Sequence, residues 1–259
     1  MISIVIPAHN EERRIRETLE NYAKFFSDIK RKKEIKNFEI IVVINNTQDK
    51  TEEIVRELLK KYPEISYLNF KQGGKGFAII EGFKDALKRD NKLIGFVDAD
   101  MATPPEAFYD LIKNIKNYDG IIADRWDKKS IISPKQNIIR RFMSRIYNLM
   151  VRTLFFMPFK DTQCGAKVFR REIIEKNINK LITSNWGFDV ALLFCLRKET
   201  HARIKSIPTT WEDKQESKIN LKKTPFLMFA SLVRLRLIHS PFKFIVRAYR
   251  KLPEKLKIH

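Results

Sequence analysis

A chain of 259 residues with 44% hydrophobic residues can bury a full core as one domain, alone or with a C-terminal appendage, and this composition excludes a disordered polymer. The formal charge of +20 calls for an anionic partner: nucleic acid, an anionic membrane or a phosphorylated substrate. Its two cysteines, Cys164 and Cys195, lie in no CxxC or Cys/His spacing, which argues against zinc.

In chain order, residues 2–6 form a short apolar run stopped by Pro7, which reads as a buried strand. Asn10 is the expected N-cap of a helix over residues 11–28, with Ile15, Leu19, Tyr22 and Phe26 at helical spacing. Residues 38–44 predict a second strand, rich in Ile and Val as befits burial on both faces. A helix over 50–61, a strand over 65–70, a helix opened by Gly73-Gly74-Lys75-Gly76 and running to residue 88, and a strand over 93–97 follow. This alternation predicts an α/β fold with a Rossmann-like, mostly parallel sheet and helices on both faces. Ligands of such sheets bind beyond the carboxyl ends of the strands, so residues 8–12, 45–49 and 98–103 should converge.

Further on, residues 104–116 predict a helix and 120–123 a strand ending in Asp124-Arg125. Residues 134–156 form a long basic amphipathic stretch, 159–169 a loop and short strand, 186–197 a helix and 202–208 a strand. Residues 210–220 read as a polar loop, and from residue 224 two apolar-basic helical segments are broken at Pro241. The boundary between a catalytic domain, 1–220, and basic amphipathic C-terminal helices, 221–259, falls there. No stretch reaches the roughly 18–20 apolar residues a membrane span needs. The run over 226–233 is too short and meets Arg234 and Arg236. The amino-terminal residues lack the pattern of a signal peptide, which with two thiols predicts a reducing compartment.

Asp98-Ala99-Asp100 carries the chemistry. Two carboxylates at i and i+2 beyond a strand point to one side, and close together they resist joint ionisation unless a cation neutralises them. A hard divalent ion with oxygen ligands, Mg²⁺ or Mn²⁺, fits such a pair and commonly also holds substrate phosphates; a solvated acidic turn is the plain alternative. Gly73-Gly74-Lys75-Gly76 offers backbone N–H groups and a lysine to a phosphate, without the spacing of a P-loop.

Five segments in order resemble the dolichyl-phosphate sugar synthases of glycosyltransferase family 2. They are Ile6-Pro7-Ala8-His9-Asn10-Glu11, Gly74-Lys75-Gly76-Phe77-Ala78, Asp98-Ala99-Asp100, the run from Asp161 through Gly165 to Phe169, and Trp211 through Ser217-Lys218. Asp161-Thr162-Gln163-Cys164-Gly165 and Trp186-Gly187-Phe188-Asp189-Val190 most resemble the dolichyl-phosphate glucosyltransferase branch, with the mannose synthases as near neighbour.

The resemblance implies a GT-A fold and an inverting transfer of a hexose, glucose favoured over mannose, from a UDP- or GDP-sugar to a polyprenyl (dolichyl) phosphate. Carried over by position, it puts Pro7, His9 and Glu11 at the nucleoside, with Asn45 and Lys75 also at the donor. Asp98 and Asp100 would hold Mg²⁺ or Mn²⁺ and the diphosphate, with Ala99 packed nearby. Arg125 would face the sugar or diphosphate, Lys218 would close on the phosphates, and Arg140 and Ser144 would receive the lipid phosphate. Asp100, Arg125 and Asp161 form the implied catalytic set. Asp161 would orient the acceptor or take a residual proton; a salt bridge or loop cap is its other reading. Asp189 reads chiefly as structural. Two departures stand out: Ile44-Asn45-Asn46-Thr47-Gln48-Asp49 replaces the usual Asp-Asp-x-Ser-x-Asp, where Asn45 or Asn46 would substitute for the first acid as a hydrogen-bonding partner, and Glu216 replaces the glycine before Ser-Lys.

From Lys135 to Lys160 there are six Lys/Arg and no acid, and from Lys218 to His259 eleven against Glu254 alone. Both stretches interleave with apolar residues, so they fit either a membrane interface or helices packed on the domain with solvated charges. The expected setting is peripheral, on the cytoplasmic face of a membrane, with a membrane-protein partner as an option. A family 2 enzyme with a glycan acceptor and a nucleic-acid-binding protein are the competing readings, the latter without any recognition motif to support it.

Overall fold

The structure, a computed structural model, describes residues 1–134, 138–181, 187–212, 224–241 and 244, and only the backbone of 138–140 and 224–226. The order of elements is β1 (Ile2–Ala8), α1 (Ile15–Arg31), β2 (Phe38–Asn45), α2 (Thr51–Lys61), β3 (Ile65–Phe70), α3 (Lys75–Ala86), β4 (Leu93–Phe96), α4 (Pro105–Lys113) and β5 (Gly120–Asp124). Then come β6 (Ile131–Ser133), α5 (Ile138–Phe155), β7 (Lys167–Arg170), α6 (Arg171–Asn177), α7 (Phe188–Thr200), β8 (Ile204–Pro208), β9 (Thr210–Glu212) and α8 (Thr224–Ile238).

Seven strands make one sheet in the order β3-β2-β1-β4-β7-β5-β8, and β6 pairs with β9 separately. β2 shows why this sheet lies in the interior. Ile40, Val42 and Ile44 point into the layer with α1 and α4, Ile41 and Val43 into the layer with α3, and all five are fully buried. The α1 stripe Ile15, Leu19, Tyr22 and Phe26 is likewise fully buried.

All main-sheet pairs are parallel except those of β7, which runs antiparallel to β4 and β5. The carboxyl ends of β1, β2, β4, β5 and β8 therefore share one edge. Because β7 runs the other way, the loop leading into its start, with Asp161 and Gly165, arrives at that same edge. The expected α/β class with a mostly parallel sheet holds, and the reversed strand is what delivers a further loop to the ligand side.

Three boundaries differ from the sequence expectation. Asn10 does not cap α1: it sits at φ 54°, its Oδ1 accepts from Gln48 N at 2.9 Å, and the helix begins at Ile15. A short polar side chain that tolerates the left-handed region here joins the exits of β1 and β2. Residues 210–212, expected in a polar loop, form β9, with Trp211 7% exposed. Past residue 220, α8 is not a free amphipathic appendage. Leu232 and Leu235 are buried in the same core layer as Tyr147, Val151 and Phe155 of α5, while Phe229 and Val233 are exposed. α8 ends at Ile238, with the exposed Pro241 in the turn that follows it, as the expected break requires; residues 242–243 and 245–259 lie outside the described residues, and among those described no helix is long and apolar enough to cross a membrane.

Candidate active site

The strand exits build a cleft of about 410 Å³ lined by Pro7, His9, Glu11, Arg14, Asn45, Asn46, Gly73, Gly74 and Lys75 with Asp98, Ala99 and Asp100. Buried polar groups of α1 hold the acidic segment in place: Thr18 Oγ1 donates to Ala99 O at 2.7 Å and Tyr22 OH to Thr103 O at 2.8 Å. Met101, next after Asp100, takes φ 61°, a strained conformation for such a side chain, and Asp100 Oδ1 accepts from Ala102 N at 3.0 Å.

Charge in this cleft is arranged in pairs. Lys75 Nζ lies 2.6 Å from Asp98 Oδ1 and 3.9 Å from Asp189 Oδ2. The fully buried Lys167 Nζ lies 2.5 Å from Asp189 Oδ1 and donates to Cys164 O at 2.6 Å. Burial opposes ionisation of Asp98, but Lys75 outweighs it and holds the carboxyl below its ordinary range. Asp100 goes the other way: burial, then the charge of Asp98, push its pKa up. Glu11 is also raised, by burial first, although Arg14 clasps it through two hydrogen bonds of 2.7 Å.

Two glycines let the motifs meet. A Cβ on Gly76 would stand 2.6 Å from the Phe188 ring, so α3 and the start of α7 touch only because position 76 has none. A Cβ on Gly165 would fall inside the Asp98 carboxylate. The loop before β7 thus shapes the room around the acidic pair.

Asp98 and Asp100 suit a hard cation by donor chemistry: both are oxygen ligands, two residues apart in the lining of one cleft. Among the described residues no group of three or more His, Cys, Asp or Glu forms a metal cage. Such an ion would therefore take its other ligands from a phosphate-bearing substrate and water, as magnesium-type sites usually do.

On the other side of the 161–165 loop, Arg125 is locked. Its Nε and Nη2 donate to the two oxygens of Asp161 at 2.7 and 3.0 Å, and its guanidinium lies 5.2 Å from the centre of the Trp211 ring. Asp161 is fully buried and also accepts from the backbone N–H groups of Arg125, Gln163 and Cys164, each at 3.1 Å. Burial raises its pKa, but Arg125 prevails and the carboxyl sits below its ordinary range. A carboxylate so fully occupied and so weakly basic makes a poor proton acceptor; of its two readings, the geometry supports the salt bridge that is also a loop cap.

Arg125 opens onto a second pocket of about 350 Å³, shared with Trp126, Lys128, Arg141 and Arg145 against the single acid Asp127. Arg145 stacks over the Trp126 ring at 5.4 Å. Arg125 and Asp98 are close enough to stabilise each other's charged forms, so the two pockets share one electrostatic neighbourhood.

The glycosyl transferase family 2 model matches residues 3–178. The chain belongs to glycosyl transferase family 2. A dolichyl-phosphate beta-glucosyltransferase from Dictyostelium discoideum is 31% identical over 91% of this chain and 73% of its own length. A dolichol-phosphate mannosyltransferase from Pyrococcus furiosus is 29% identical over 90% of this chain and 63% of its own. Among solved structures, glucosyl-3-phosphoglycerate synthase from Mycobacterium tuberculosis, crystallised with Mn²⁺, UDP and phosphoglyceric acid, shares the fold with a TM-score of 0.63 at 16% identity, over 91% of this chain and 78% of that one.

In this glycosyltransferase the implied donor residues Pro7, His9, Glu11, Lys75, Asp98, Ala99 and Asp100 do come together in one cleft. Asn45 lines it too, with its amide engaged at both ends: Nδ2 donates to Ala8 O and Oδ1 accepts from Gly74 N, both at 3.0 Å. It stitches β1, β2 and the glycine turn, and the exposed Asn46 lines the cleft beside it. Arg125 lines the second pocket and not the donor cleft. Of the implied acceptor pair, Ser144 is half-buried and lines neither pocket, while the side chain of Arg140 lies outside the described residues, as does Lys218 altogether. Among the described side chains of α5, Arg141 and Arg145, one turn apart, are the ones that line the second pocket. Sequence reasoning missed them together with Arg14 and Lys167. Arg14, three residues after Glu11, carried a local signal; the buried Lys167 carried none.

Proposed function

We propose that this glycosyltransferase moves a glucosyl unit from a nucleotide-sugar, UDP-glucose first, onto a polyprenyl (dolichyl) phosphate with inversion at the anomeric carbon. The observation that carries the reading is the split site: an acidic cleft fit for a cation and diphosphate, beside a pocket where four cations meet one acid. The similarity to the Dictyostelium glucosyltransferase supports glucose and the lipid phosphate in particular.

The chemistry follows from charge. A phosphate monoester has a second pKa near ~6, so the acceptor is largely dianionic at neutral pH and attacks without a strong base. This agrees with an Asp161 whose oxygens are all taken. The costly part is bringing two polyanions together, and the residues present answer that cost. Arg125, Arg141 and Arg145 receive the acceptor phosphate. Asp161 and Trp211 keep Arg125 in one orientation. Asp98 and Asp100 would hold a divalent ion, Mg²⁺ or Mn²⁺, and its chemistry there would be to neutralise negative charge on the diphosphate leaving group.

The reading includes an anionic membrane surface. Phe142, Leu149 and Phe156 are 62%, 60% and 80% exposed along α5 and just past it, and Phe229 and Phe244 are exposed as well. No acidic residue occurs between Asp127 and Asp161. Exposed apolar side chains among arginines suit the headgroup region of a bilayer.

The test is transfer of radiolabelled sugar to dolichyl phosphate in mixed micelles with Mg²⁺ or Mn²⁺, with UDP-glucose and GDP-mannose run in parallel. A lipid-soluble product from UDP-glucose is expected. Product from GDP-mannose alone would move the assignment to the mannose synthases, and no lipid product from either donor would overturn it.

A further inference from the structure

Asp98, Lys75, Asp189 and Lys167 form an alternating chain of charge, and its members are not equally held. Lys167 is fully buried and tied to both Asp189 Oδ1 and Cys164 O. Lys75 keeps 34% of its side chain exposed and stands between two carboxylates, 2.6 Å from Asp98 Oδ1 and 3.9 Å from Asp189 Oδ2. Its long side chain stands between the two carboxylates and can change partner by rotation, and Asp189, fixed by Lys167, is a ready second partner.

The oxygen that Lys75 now holds belongs to a proposed cation ligand. An ammonium on Asp98 and a divalent ion on Asp98 and Asp100 compete for the same charge. Even with water-like screening, a divalent cation and an ammonium about 6 Å apart repel enough to change affinity about tenfold. A bare cation must displace Lys75 and then tolerate it nearby. A diphosphate arriving with the cation brings negative charge that offsets both.

We propose that Lys75 is a resident counter-ion of the donor site: it holds Asp98 while the cleft is empty and passes to Asp189 when cation and nucleotide enter, so that strong cation binding requires the nucleotide. The inference rests on the reading of Asp98 and Asp100 as cation ligands. It makes Lys75 a positioning residue, and it gives Asp189 a task at the donor site through Lys75.

The test measures Mn²⁺ binding by the loss of the free-ion electron paramagnetic resonance signal, on the full chain, with and without UDP or GDP, and needs no acceptor. Wild type is expected to bind Mn²⁺ weakly alone and much more tightly with a nucleotide. Lys75→Met, with Lys75→Gln as a second neutral variant should the first fold poorly, is expected to bind Mn²⁺ about tenfold tighter without nucleotide, narrowing the gap. A merely structural lysine predicts the opposite sign, because its loss would loosen Asp98. Unchanged or weaker Mn²⁺ binding in folded neutral variants, with wild type binding Mn²⁺ and UDP normally, overturns this inference alone. Wild type that binds Mn²⁺ neither alone nor with either nucleotide overturns it together with the donor-site reading.

Discussion

The donor cleft and the acceptor side of this glycosyltransferase handle charge in opposite ways. In the cleft, Lys75, Asp98, Asp189 and Lys167 pair with one another, and Glu11 pairs with Arg14. On the acceptor side Arg125 alone has a buried carboxylate partner, and Arg141, Arg145 and Lys128 share a pocket with the one acid Asp127. A paired site can stand empty in a stable fold, since each buried charge has its counter-charge. An excess of cations is tolerated only because it borders solvent, and it is satisfied by an anion from outside. On the proposed reading of the two pockets, the contrast teaches that the donor is met by preformed geometry and the acceptor largely by electrostatic field.

The largest expected effect breaks the donor half. Asp100→Ala should lower transfer by about 10³-fold or more, since the ion's charge stabilisation is worth several kcal/mol. Its thermal unfolding should stay close to wild type: burial and Asp98 already disfavour the Asp100 charge, and its carboxyl accepts only a local bond from Ala102 N. Retained activity would remove the cation from the acidic pair. Gly165→Ala comes next, at about 10²-fold in kcat/KM, because the added methyl group displaces Asp98. Unlike the first variant it should also weaken Mn²⁺ binding through a ligand that is still present, which a binding titration reads directly.

The hinge between the halves is the Arg125–Asp161 pair. Asp161→Asn should cost about 3–5 kcal/mol in denaturant unfolding by leaving Arg125 buried without its counter-charge. The pH dependence gives the sign. Because the folded-state pKa of Asp161 is lowered, its stabilisation is present above the ordinary carboxylate range and is lost as pH falls through the lowered value. The variant should lack that acid limb. Asp100, raised, behaves inversely: Mn²⁺-dependent nucleotide binding should begin to fail at a pH above the ordinary range of aspartate.

The smallest effects belong to the acceptor side. Arg152→Gln should weaken flotation with vesicles containing anionic lipid by about fivefold, the worth of one cation near such a surface. Phe142→Ser with Phe156→Ser should weaken binding to neutral and anionic vesicles alike, leaving melting temperature and transfer to a micellar acceptor unchanged. Equal vesicle binding by all these variants would break the comparison, leaving the exposed face of α5 without a membrane role.

The sequence by itself determined the strand–helix alternation, the edge of the sheet where ligands gather and the acidic pair, because hydrophobic period and motif spacing are local properties. It also carried the resemblance to the right family. Tertiary structure decided the rest. β7 reverses direction, so Asp161 and Gly165 reach the site from a loop whose sequence alone does not reveal its side of the sheet. Asn45 ties Ala8 to Gly74 while the exposed Asn46 lines the cleft beside it, contacts made between residues far apart in the chain. The phase of α5 puts Arg141 and Arg145, and not Ser144, at the acceptor pocket. Lys167 is a surface residue by composition and a fully buried ion-pair partner in the fold, because only long-range packing brings Asp189 to it. Periodicity determines which elements form; which charges meet depends on contacts between residues far apart in the chain, and those exist only once the sheet has closed around them.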